Sequence, residues 1–83
     1  MSEYRKNQCT EMLEATRRAG RAGMSRREYA TLLNIKKGKH LNDLISELTT
    51  RDLVIVKKVK DQHNRPLFIY MMPEFNIDPV QHE

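Results

Sequence analysis

Tryptophan is absent from this 83-residue sequence, which has one cysteine, three glycines and three prolines. The single cysteine, Cys9, excludes an internal disulfide and fits a reducing compartment. No apolar run approaches the roughly 18 residues of a membrane span, and the first residues are polar and charged rather than signal-like. A cytoplasmic protein with no membrane association is therefore expected. His40, His63 and His82 are scattered, with no H-x-x-x-H pair and no second cysteine to complete a zinc site, so neither metal nor other cofactor is expected. A phosphate-cradling glycine loop is also missing. Cys9 lies on an apolar stripe without a neighbouring base to activate it, which suits a small buried hydrophobe better than a nucleophile. These absences argue against an enzyme. There is no internal repeat and no low-complexity tract.

The 83 residues suit one domain. A chain of this size buries only about 60–65% of the surface that its unfolded form exposes, leaving little apolar surface for a deep substrate cavity. What is abundant is charge, at 31% of residues with a net +4, and it is unevenly placed. Residues 21–40 carry six cations (Arg21, Arg26, Arg27, Lys36, Lys37, Lys39) against Glu28 alone, a local +5. Residues 61–83 carry Arg65 against Asp61, Glu74, Asp78 and Glu83, a local −3. A concentrated positive segment on a small domain favours a polyanionic partner, and nucleic acid is the commonest.

Hydrophobic spacing predicts the elements. Cys9, Met12, Leu13 and Thr16 fall at i, i+3, i+4 and i+7 within a helix over about Glu3 to Ala19, with Gly20 placed to end it. Ser25-Arg26-Arg27-Glu28 has the form of a capping box, with Met24 outside it as a hydrophobic staple. The short helix that follows runs to about Leu33 and buries Tyr29 or Ala30 together with Leu33. A third helix over about Lys39 to Arg51 carries the strongest period, Leu41, Leu44, Ile45 and Leu48, which should anchor the core. Its other side presents Lys39, Asn42, Asp43, Ser46 and Thr50. Leu53 to Lys60 and Pro66 to Met71, rich in β-branched and aromatic residues around the polar turn Asp61–Arg65, read as a hairpin. The folded domain is expected over 1–73, followed by a flexible tail over 74–83.

The order helix, short helix, turn, amphipathic helix, hairpin resembles the winged helix-turn-helix domain over about Ser25 to Met72, an α+β fold with Glu3–Ala19 as a supporting helix. The chain is similar to small regulators of the MarR and PadR kind, whose core often reads S-x-x-E-x-A-x-x-L followed by L-x-x-L-x-x-x-G-L-V. The corresponding stretches are Ser25-Arg-Arg-Glu-Tyr-Ala-Thr-Leu-Leu33 and Ile45-Ser-Glu-Leu-Thr-Thr-Arg-Asp-Leu-Val54. Two departures stand out. Asp52 replaces the glycine expected at a positive-φ position, which aspartate visits more readily than most residues. The turn before the third helix is also one residue longer than the commonest spacing.

The resemblance implies binding to double-stranded DNA by a small transcription regulator, with the third helix in the major groove and the hairpin on the backbone. Lys39, Asn42, Asp43 and Ser46 would then contact bases: lysine suits guanine, asparagine suits adenine, and aspartate accepts from cytosine N4. Asp43 has a second option, pairing with Lys39 four residues earlier. Arg26, Arg27, Lys36 and Lys37, with Lys58, Lys60, His63 and Arg65 in the wing, would contact phosphate. Lys58 and Lys60 also suit the plain role of charged strand-edge residues. Tyr29 and Tyr70 are expected to be packed rings. The alternative is a protein-interaction module within a transcription or other nucleic-acid assembly, for which the acidic tail and the arm from Phe68 to Met72 would matter more. A monomer or a weak homodimer fits either role.

Overall fold

Glu3–Ala19 contains neither glycine nor proline and forms one helix, α1, in the computed structural model, which describes residues 3–75. Its buried residues are Gln8, Cys9, Met12 and Thr16, with Leu13 only partly covered. Gly20 stands at φ 59° and turns the chain into a single 3-10 turn, Gly20–Ala22. Beyond it Gly23 takes φ 66° and ψ −170°, a combination reserved for glycine. A Cβ there would collide with Cγ2 of Ile69 and lie 2.8 Å from the Tyr70 carbonyl oxygen.

The expected capping box is present. The Glu28 N–H donates to Ser25 Oγ at 3.2 Å, and the Ser25 N–H donates to Glu28 Oε1 at 2.8 Å. The helix it starts, α2, spans Arg26–Leu33 and buries both Tyr29 and Ala30, while Leu33 is only partly covered. Asn34 ends it at φ 57°, with the Ile35 N–H returning to the Ala30 carbonyl at 3.0 Å and the Asn34 N–H to Thr31 at 3.2 Å. This is a Schellman closure, built on asparagine instead of glycine.

The third helix, α3, spans Lys39–Thr50 and buries Leu41, Leu44, Ile45 and Leu48, the four residues the spacing picks out. It stops one residue short of Arg51, which caps it. The same closure recurs here. Asp52 stands at φ 59°, and the Leu53 N–H returns to the Leu48 carbonyl at 3.0 Å. Asp52 thus adopts the conformation usually given to glycine.

Strands β1 (Ile55–Lys60) and β2 (Pro66–Met71) pair antiparallel, from Ile55 opposite Met71 to Lys60 opposite Pro66. Leu53 and Val54 precede the first strand rather than belonging to it. The loop is fixed by Asp61, whose Oδ1 accepts from the backbone N–H groups of His63 (2.8 Å) and Arg65 (2.9 Å), with Asn64 left-handed at φ 63°. A contact that the spacing does not reveal completes the sheet. Met24 and Tyr70 exchange both backbone hydrogen bonds at 2.8 Å, so the chain ahead of α2 adds a one-residue third strand to β2. Because Tyr70 turns its N–H and C=O toward Met24, alternation places the nitrogen of Pro66 on the same outer edge, where the ladder needs no donor.

The core joins these parts through Tyr29, which has no exposed surface and packs 5.9 Å from Tyr70, ring centre to ring centre. Thr16 donates its one hydroxyl proton to the Met12 carbonyl at 2.6 Å. The 2.5 Å contact between Thr16 Oγ1 and the Tyr29 hydroxyl therefore has tyrosine as its donor. Met72 is buried and Phe75, in the 3-10 turn Pro73–Phe75, packs partly on the core. Packing on the core thus continues as far as Phe75. The rest of the expected tail, 76–83, lies outside the described residues.

Two expectations follow. Gly23→Ala should lower stability by about 3 kcal/mol, combining forbidden backbone geometry with a collision against β2. Gly20→Ala meets no atom within 4 Å and should cost only about 1 kcal/mol. Equal losses in denaturant titrations would contradict this account. The second concerns pH. Burial pushes the Tyr29 phenol up to about 12. The folded state thus favours the protonated phenol, a stabilisation complete below the unfolded value near 10 and lost as pH climbs through about 12. Between pH 9 and 12 the native protein should lose about 2 kcal/mol more stability than Tyr29→Phe.

Candidate nucleic-acid interface

The core takes one side of α3 and leaves the other to solvent. Lys39, Asn42 and Ser46 are exposed at successive turns, and Thr50 continues the row. Asp43 is half-buried at the margin. Its ion pair is with Arg5 of α1, at 4.0 Å, rather than with Lys39 as one option expected. The only acid of the proposed face thus has a cation from another helix beside it. Neither the spacing of α1 nor that of α3 reveals this contact.

Two of the expected site residues meet directly. Arg26, at the first position of α2, donates from Nη2 to Oδ1 of Asn42. Arg26 and Arg27 also line a groove of about 520 Å³ with Lys37, whose far wall is the wing residues Pro66–Ile69 and Asp61. Arg27 and Lys37 border a neighbouring depression of about 420 Å³ as well, which runs along α2 to Asn34 and Ile35. Three cations from two separate segments thus share one cleft with the acids Glu28 and Asp61, and Lys36, the chain neighbour of Lys37, is exposed. Gly38 caps α3 without a side-chain acceptor, so the first-turn N–H groups have none from the cap.

The wing cations form a different group. Lys58, Lys60, His63 and Arg65 are exposed on β1 and the loop, flanking the groove without lining it. Lys58 and Lys60 share a sheet face with Val56, Phe68 and Tyr70, as the register requires. On that face Val56 is 50% and Phe68 46% exposed, while Tyr70 is buried. In the arm from Phe68 to Met72, Phe68 is therefore the apolar residue turned outward, and Tyr70, Met71 and Met72 belong to the core.

The start of α3 is held by a polar contact that the sequence pattern also conceals. His40 Nε2 lies 2.8 Å from Oε1 of the buried Gln8, whose Nε2 donates to the Tyr4 hydroxyl at 3.1 Å. The Tyr4 and His40 rings lie nearly parallel, 6° apart in plane and 6.2 Å between centres. His40 thus fastens α3 to α1. Among the described residues no three metal-capable side chains gather, and no helix is long and apolar enough to cross a membrane. Cys9 is buried, and burial together with the nearby Glu47 carboxylate pushes its thiol up, away from the reactive thiolate.

Three helices followed by an antiparallel hairpin make an α+β layout consistent with a winged helix-turn-helix. Comparison with protein-family models gives no match, and comparison with curated proteins gives none either.

The state of Cys9 is directly measurable. At pH 8 the folded protein should react with iodoacetamide at least ten times more slowly than the unfolded chain. Equal rates would show that the thiol is open to solvent.

Proposed function

We propose that this chain is a sequence-specific double-stranded DNA-binding domain of a small transcription regulator, acting in the cytoplasm by binding rather than by catalysis. One observation carries the proposal: the uncovered polar row of Lys39, Asn42 and Ser46, set beside cations from α2 and the preceding turn. A helix with one apolar and one short-chain polar face fits the major groove, and the cations beside it meet the phosphates that border the groove. Lys39, Asn42, Asp43 and Ser46 are assigned to bases. Arg26, Arg27, Lys36 and Lys37 are assigned to phosphates on one side, with Lys58, Lys60, His63 and Arg65 on the other. The uncapped start of α3 adds a favourable dipole end for phosphate beside Lys36 and Lys37. The resemblance to MarR- and PadR-like regulators points the same way, as does the local charge of residues 21–40.

A second reading has its own observation. The exposed pair Val56 and Phe68 on the wing suits contact with another protein, as in a winged-helix module of a transcription assembly. Phe68→Ser separates the two. Loss of regulation in the cell with unchanged duplex affinity would favour the protein-interaction role.

DNA binding of this kind has a quantitative signature. With about six phosphate contacts, log affinity for duplex should fall against log salt with a slope of roughly −5. Lys36→Ala or Lys37→Ala should weaken every duplex alike and reduce that slope by about 1. Asn42→Ala should cost about 1–3 kcal/mol on the preferred site and little on random duplex. A flat salt dependence, or equal loss on both duplexes from Asn42→Ala, would refute groove reading.

A further inference from the structure

We infer that Arg26 and Asn42 act together as one donor-only unit that selects guanine in the major groove, and that Arg26 is a specificity-determining residue rather than a phosphate clamp. The inference rests on the DNA-binding reading and goes beyond it by naming the base and by moving Arg26 from the phosphates, where that reading set it, to the base edge. Its starting point is the hydrogen bond from Arg26 Nη2 to Asn42 Oδ1. A guanidinium has five donors and no acceptor, and it stays charged at every accessible pH. The atom of the Asn42 amide that faces it must therefore be the oxygen. Chemistry thus settles an orientation that the near-identical shapes of the two amide ends leave ambiguous. Arg26 is half-buried at the first position of a helix whose start is fixed by the Ser25–Glu28 capping box, so its guanidinium is delivered to α3 from a set place.

The consequence is a change in what Asn42 offers. A free asparagine reads adenine by accepting from N6 and donating to N7 at the same time. Here the oxygen already takes a charged donor, and a cation stands where the adenine amino group would have to come. Two like-signed hydrogens would then compete for one side of the oxygen. The groups left to face outward are the Asn42 amide hydrogens and the remaining Arg26 N–H groups, all of them donors. The base edge that meets such a set is the one with two adjacent acceptors, guanine O6 and N7. Cytosine N4 and adenine N6 are donors themselves and are disfavoured. Thymine offers only O4.

The test is selection from a randomised duplex library with the full chain, followed by affinity measurements on defined duplexes. The position read by the pair is the one whose preference disappears in Asn42→Ala. There the native protein should favour guanine over adenine by on the order of 10-fold, and 7-deazaguanine, which lacks the N7 acceptor, should lose most of that margin. Arg26→Ala frees the Asn42 oxygen and should move the preference from guanine to adenine, while affinity for random duplex drops only a few-fold. The 7-deazaguanine measurement uses the native protein, so it holds even if Arg26→Ala folds poorly. Selection of adenine by the native protein, or a uniform loss on all sequences in Arg26→Ala with guanine still preferred, would overturn the inference while leaving DNA binding intact. Retention of no duplex by the native protein would overturn DNA binding itself, and with it this inference.

Discussion

The two backbone hydrogen bonds between Met24 and Tyr70 join the helical half of the molecule to the wing. A two-stranded hairpin alone is marginal in water, so β1 and β2 need a third neighbour to hold a fixed place. Met24 supplies it at a single residue. For that residue to reach β2, the chain before it must approach within contact of the Ile69 side chain and the Tyr70 carbonyl, which Gly23 alone permits. Tyr70 then turns its ring toward Tyr29, and Tyr29 in turn donates to Thr16 of α1. A chain of contacts thus runs from the wing through α2 to α1, and every link in it is buried.

This seating gives α3 its division of labour. Leu41, Leu44, Ile45 and Leu48 are held on one side by the packed core, and the Gln8–His40 contact pins the helix start against α1. The start of α2 meets the polar side at Asn42 and faces the wing across the groove lined by Arg26, Arg27 and Lys37. Packing an amphipathic helix this firmly from behind suits a surface meant to meet a partner of fixed shape, since little conformational freedom is then lost on binding.

The elements were legible because their signals are local. Periodic leucines define α3, Ser25 and Glu28 define the start of α2, and β-branched runs around Asp61–Arg65 define the hairpin. Asp52 was legible too, because its left-handed conformation follows from its place after a helix. The Met24–Tyr70 bridge was not, since one extended residue has no period. Gln8 was missed because a polar residue beside an apolar stripe reads as solvent-facing, and its partner His40 lies on another helix. In the candidate site the exposure of the residues was legible, but not their contacts. Arg26 and Asn42 are sixteen residues apart, and Arg5 and Asp43 sit on separate helices. Side-chain meetings between elements depend on the relative rotation of two helices, which no single-helix pattern encodes.

The pairing of Arg26 with Asn42 shows how a local rule can reach across the domain. Ser25 and Glu28 satisfy each other's backbone donors and so fix where α2 begins. That choice makes Arg26 the first helical residue and sends its side chain back toward the helix start, as helical geometry dictates. The side chain then lies against α3 one turn in from Gly38, where Asn42 donates its own N–H to the Gly38 carbonyl. A shift of the cap by one residue would rotate the Arg26 position by about 100° around α2 and take the guanidinium away from Asn42. The capping box, usually credited only with helix stability, therefore also determines which donors the exposed face of α3 can present.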